Sequence, residues 1–113
     1  MNISSGVDIV SISRIRKALK KFGDRFAKRI LTERELKEFY KRKDKIQFLA
    51  SRFAGKEAVY KAFNISPFSW QRIEILKKNG KPKVFIDRKL AENIDISISH
   101  ERDYAIAFCI VVK

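Results

Sequence analysis

Near Trp70 the spacing of apolar residues changes from a helical period to a period of two. That change confines the chain to folds that group helices early and strands late. On the helical side, Ile12, Ile15, Leu19 and Phe22 make the stripe of a helix over about residues 13–22, ended by Gly23. Thr32 and Glu35 form a capping box, and Leu31 with Leu36 has the spacing of a hydrophobic staple. A second helix therefore starts there and runs to about Tyr40. A basic loop occupies residues 41–45. Asp44 with Gln47 marks a third helix that runs to about Phe63, where Asn64 and Pro67 stop it.

Strands lie on either side of these helices. Residues 3–10 read as a short strand in which Gly6 allows a bulge or a close backbone approach. Residues 71–77 and 81–87 flank Asn79-Gly80, a strong hairpin signal. Ile94, Ile96 and Ile98 alternate with Asp95, Ser97 and Ser99 as a half-buried strand. Residues 100–103 turn, and residues 104–112 form a strand apolar on both faces. Such a strand needs helices over one face and another cover over the other, which a second subunit would supply. The expected class is α+β, an N-terminal strand and helices packed on an antiparallel sheet, as one domain over residues 1–113.

Composition narrows the partners. A single cysteine, Cys109, lies in an apolar run; it excludes an intrachain disulfide and reads as a buried structural thiol. No apolar stretch approaches a membrane span, and the first residues lack the pattern of a signal peptide, so a cytoplasmic protein is expected. The net charge of +13 favours polyanions or acidic proteins. A basic nucleic-acid-binding module is the alternative reading. The aromatics do not favour it, because they fall mostly at positions that a core would claim. On the first helix Arg14, Arg16, Lys17, Lys20 and Lys21 stand without an acid among them, which points to an acidic partner.

The residues that carry chemistry centre on the third helix. Glu57 and Lys61 lie one turn apart in a stretch apolar nearly all round, on a stripe with Ala50 and Ala54 that suggests a floor for a ligand. By itself this leaves a partly buried ion pair equally open. Asp8 is an acid inside an apolar strand, on the face opposite Val7 and Ile9; the plain reading puts it toward solvent. Paired with Glu57, it suits magnesium, which commonly takes one or two carboxylates and completes its shell with water and phosphate oxygens. A phosphate ester or anhydride is then the expected substrate class, with Arg52, Lys56 and Lys61 as nearby cations. Gly80, Lys81 and Pro82 are first a turn, which explains Gly80 by itself; Lys81 could add a phosphate contact. His100, alone at a strand end, is more often a structural hydrogen-bonder than a catalyst.

These pieces together resemble the bacterial holo-acyl-carrier-protein synthases, a branch of the 4′-phosphopantetheinyl transferases. The resemblance rests on residues 6–9 (GVDI), 25–32 (RFAKRILT), 48–58 (FLASRFAGKEA) with Lys61-Ala62, 79–82 (NGKP) and 97–100 (SISH). It implies a small α+β homotrimer with coenzyme A in clefts between subunits. It implies transfer of phosphopantetheine to a serine of apo acyl carrier protein, with release of adenosine 3′,5′-bisphosphate. Asp8 and Glu57 would hold Mg2+, and Lys61 would neutralise the β-phosphate. Arg52, Lys56, Gly80, Lys81, Pro82, Ser99 and His100 would meet the cofactor, and Arg14, Lys17, Lys21 and Arg25 the carrier protein. The base that takes the serine proton, a water on the metal or Glu57 through a water, stays open. The chain departs from the pattern with Tyr60 for serine, Gly55 for alanine and Ser4 for glycine.

Overall fold

In the computed structural model, which describes residues 2–113, β1 (Ile3–Ser11) leads directly into α1 (Ile12–Phe22). The Ser11 hydroxyl caps α1 by accepting from the Arg14 amide. α2 (Asp24–Ile30), α3 (Glu33–Lys41) and α4 (Lys45–Phe63) follow. The Thr32–Glu35 capping box is formed in both directions at the start of α3, and Asp44 accepts from the Gln47 amide at the start of α4. Asn64 ends α4 in the left-handed region. A single 3-10 turn (Trp70–Arg72) then leads into β2 (Ile73–Lys78), β3 (Lys81–Ile86), β4 (Lys89–Leu90), β5 (Ile94–His100) and β6 (Tyr104–Val112).

Three elements differ from expectation. α2 occupies residues that gave no helical signal, because seven residues are too few for a periodic stripe. Gly23 both ends α1 and starts α2. Gln71 belongs to the 3-10 turn and not to a strand, and the two-residue β4 was not foreseen. The strands also form two three-stranded antiparallel sheets, ordered β1-β6-β5 and β2-β3-β4, where one sheet was expected. The Asn79-Gly80 hairpin turns with positive φ at both residues, as a tight two-residue connection requires.

α4 lies across the inner face of β1 and β6. That face is made of small residues: Gly6 on β1, with Ala105, Ala107 and Cys109 on β6, all buried. Gly6 is required there. A Cβ at residue 6 would fall on the Ala58 carbonyl oxygen and the Ala62 amide of α4. Burial pushes the Cys109 thiol up to about 11, the expected inert core cysteine.

The outer face of the same strands is apolar and uncovered. Tyr104, Ile106, Phe108 and Val112 of β6 and Ile3, Val7 and Ile9 of β1 are exposed, Ile9 at 60%. The C-terminal strand is thus buried on one side only within the chain. The alternation on β1 also reverses the plain reading of Asp8. Val7 and Ile9 face outward, while Asp8 shares the inner face with Gly6 and Val10. Among the described residues, no helix is long and apolar enough to cross a membrane.

Candidate active site

The close approach of β1 to α4 that Gly6 permits brings Asp8 to Lys61. The Lys61 Nζ lies 3.2 Å from Asp8 Oδ1 and donates to the Val7 carbonyl oxygen at 3.0 Å. Asp8 is mostly covered, with 17% of its side chain exposed, whereas Lys61 is half exposed. Glu57, one turn before Lys61, is half-buried. Its carboxyl is held above the ordinary glutamate value, first by burial and then by the Asp8 charge, with Lys61 acting in the opposite sense. Two carboxylates are therefore close enough to repel, under one ammonium. Among the described residues, no group of three or more histidine, cysteine or acidic side chains converges. The pair suits an open site completed by water and phosphate oxygens, and not a closed cage.

A second feature lies further round α4. A cleft of about 420 Å³ is lined by Lys43, Gln47, Arg52, Pro82 and His100, and Gly80 also borders it. Four residues expected at the cofactor, Arg52, Gly80, Pro82 and His100, meet here. Arg52 is buried, donates from Nε to the Ile75 carbonyl oxygen at 3.0 Å, and lies over the Phe48 ring. Burial holds its guanidinium below the ordinary arginine value. Gln47, seen in the sequence only as a helix-start signal, has its Nε2 2.9 Å from His100 Nδ1. With Gln47 donating, the neutral ring keeps its proton on Nε2.

Other expected residues fall elsewhere. Ser99 and Lys81 are exposed and outside the cleft lining. Lys56 is a correction: it is fully buried and no ligand from solvent reaches it. Its Nζ lies 2.6 Å from Glu35 Oε1 and donates to the carbonyl oxygens of Ile30 at 2.7 Å and Trp70 at 3.1 Å. Burial pulls its ammonium below the ordinary lysine value, with Glu35 opposing. Ala50 and Ala54 are also fully buried, so they are core and not a ligand floor. Arg14, Lys17, Lys21 and Arg25 are all exposed. Asp8, Glu57 and Lys61 do not line the cleft; Arg52 and Glu57 project about 140° apart round α4 at ~100° per residue.

Residues 4–109 match the sequence profile of the 4′-phosphopantetheinyl transferase superfamily. A holo-[acyl-carrier-protein] synthase of Aquifex aeolicus is 45% identical over 96% of this chain and 97% of its own. This chain belongs to the holo-[acyl-carrier-protein] synthases, enzymes of the 4′-phosphopantetheinyl transferase superfamily. Solved synthases share its fold. That of Neisseria meningitidis superposes with a TM-score of 0.87 at 36% identity, covering 97% of this chain and 98% of that one. The synthase of Bacillus anthracis, solved in complex with CoA (3′,5′-ADP), gives 0.81 at 33% identity over 96% and 94%.

Proposed function

We propose that this synthase, acting as one domain over its length, transfers 4′-phosphopantetheine from coenzyme A to a serine of apo acyl carrier protein. The observation that carries this reading is the Asp8–Glu57 carboxylate pair with Lys61 over it, at the solvent-reached rim of the contact between the inner face of β1 and α4. The serine Oγ attacks the β-phosphorus of coenzyme A. The bond from that phosphorus to the bridging oxygen breaks, and adenosine 3′,5′-bisphosphate leaves with the electron pair. Asp8 and Glu57 would hold Mg2+, which would supply a Lewis acid for the charge on the diphosphate oxygens. Lys61 adds a compact positive charge at the β-phosphate. Glu57 would accept the serine proton through a water.

Arg52, His100 and the Gly80–Pro82 turn take the adenosine end of coenzyme A, joined by the exposed Lys81 and Ser99. One chain holds this cleft and its carboxylates on different faces of α4. We therefore place the complete site between copies, in a homotrimer. The uncovered apolar face of β1 and β6 supports this, because a contiguous exposed apolar patch marks an association surface. The setting is the cytoplasm, in keeping with a lone unpaired cysteine.

The deciding experiment incubates the protein with coenzyme A, Mg2+ and apo acyl carrier protein and weighs the carrier. A gain equal to one phosphopantetheine group is expected; an unchanged carrier mass would sink the reading. Docking rests on the all-basic face of α1, with Arg14, Lys17 and Lys21 exposed and Arg25 beside them on α2. Arg14→Glu with Lys17→Glu is expected to raise KM for the carrier by about tenfold at low salt, chiefly through slower association. The effect should shrink as salt screens it. An unchanged KM would remove α1 from the docking surface.

A further inference from the structure

A second cleft, of about 350 Å³, lies between α3 and β2, on the other side of Arg52 from the first. Arg52, Phe48 and Lys77 line both. What distinguishes the second cleft is uncompensated positive charge. Lys37, Lys41, Lys77 and Lys78 line it, and among the described residues none of the four has a carboxylate within salt-bridge distance. The acids near it are already engaged. Glu35 is paired with Lys56, Glu38 with Arg42, and Glu74 with Arg34.

The arrangement works against folding as it stands. Lys37 and Lys41 are four apart on α3, where like charges destabilise a helix. Lys78 faces Lys81 directly across β2 and β3, where like charges destabilise a strand pair. Lys37 and Lys41 line this concavity, and so does Lys78 of the second pair. In the wall stands Arg52, only 5% exposed. Its Nε is used by the Ile75 carbonyl oxygen, and its terminal nitrogens meet no protein acceptor among the described residues. No buried side-chain nitrogen is left wholly without a partner, so those terminal groups open onto the clefts. A guanidinium in that position is suited to a phosphate oxygen.

We propose that the α3–β2 cleft is a binding site for a phosphate-bearing anion of diphosphate size, separate from the first cleft and coupled to it through Arg52. Its volume is within the usual range for a small-ligand site, and four lysines match the charge of a diphosphate. An anion there draws the Arg52 guanidinium away from the first cleft, so occupancy of one site weakens the other. Anion binding at this cleft requires neither coenzyme A nor transfer.

The test is an amide NMR titration of the whole protein with inorganic diphosphate and, separately, with ADP, each against sodium chloride of equal ionic strength. Saturable shifts at Lys37, Leu76 and Lys78 are expected. Tighter binding of ADP assigns the site to nucleotides, and equal or tighter binding of diphosphate assigns it to the inorganic anion. Lys37→Glu with Lys78→Glu should weaken binding at these amides by at least about tenfold while shifts at Lys43 and His100 persist. Lys37→Ala with Lys78→Ala, which only removes charge, should act in the same direction if the reversal disturbs the fold. Shifts that match the chloride control, that saturate only at Lys43, Gln47 and His100, or that survive both variants unchanged would overturn the proposal.

Discussion

Asp8→Ala and Glu57→Ala are each expected to reduce phosphopantetheine transfer by roughly 10²–10³-fold or more, as removing a principal electrostatic element of a polar site does. Neither should unfold the protein. Both side chains sit at the rim of the core, and neither fills a cavity that its loss would empty. The carrier-mass assay reads the activity and circular dichroism reads the fold; transfer retained at more than about a tenth of the original rate would remove that carboxylate from the mechanism. The stability of Glu57→Gln gives an independent check. The folded-state pKa of Glu57 is raised above its unfolded value, so the folded protein holds that proton more tightly. The resulting stability is fully present below the ordinary glutamate value of 4.5 and is lost as pH rises through the raised value. At neutral pH the ionised Glu57 therefore works against folding. Glu57→Gln should raise the apo-protein Tm at pH 7 by a few °C at most, because the group is half exposed and screened. It should also flatten the stability curve above pH 4.5. Asp8→Asn should lower the Glu57 pKa in an NMR titration, since the Asp8 charge is one of the two causes holding it up. An activity loss with a stability gain is the pattern of a site kept strained for function.

Much of this was legible because local rules and tertiary needs agree along most of the chain. The Thr32–Glu35 capping box, the Asp44 cap, the Asn79-Gly80 turn and the alternation of β5 each specify one local structure, and each is present. What was not legible depends on which element lies over which. The sequence shows Asp8 alternating with Val7 and Ile9, but alternation does not say which face is inward. The apolar face turned out to be the exposed one, and the acid faces α4. Gly55 in mid-helix had no local reason. The structure supplies one: a Cβ there would lie 2.6 Å from Ile75 Cδ1 of β2 and against Ile96 and Ile98 of β5. Because the obstacle is the end of a flexible side chain, Gly55→Ala is accommodated by a shift of Ile75. Lys56 and Glu57 are neighbours in one motif, yet the helix sends one to the core and the other to the open face. Only the positions of α2, the 3-10 turn and Glu35 reveal which is which.

That division predicts opposite phenotypes for adjacent residues. Lys56→Ala and Glu35→Ala are each expected to destabilise the protein by about 3–5 kcal/mol, because each leaves a buried charge without its partner. Against a typical total of about 5–15 kcal/mol, that is a large share. The Tm should fall by roughly 12–25 °C, at about 4–5 °C per kcal/mol for a domain of this size. The loss is large because the pair is a junction. Lys56 ties α4 to the end of α2 through Ile30 and to the 3-10 turn through Trp70, while Glu35 accepts the Thr32 amide and the Ile75 amide of β2, each at 2.8 Å. Removing either member leaves these main-chain groups short of a partner in the core. The double variant Glu35→Leu with Lys56→Met discards both charges together and should recover the part of the loss due to the stranded charge, but not the part due to the main-chain groups of Thr32, Ile75, Ile30 and Trp70, which stay without their side-chain partners. Thermal melts of the three variants decide it. A single variant within about 1 kcal/mol of the parent would mean that water reaches the pair and that the junction is not dry. If instead the melts fall as expected, while Glu57→Ala melts like the parent and transfers nothing, then the helix that carries both residues divides them by a single step of its turn: Lys56 holds the fold and Glu57 serves the reaction.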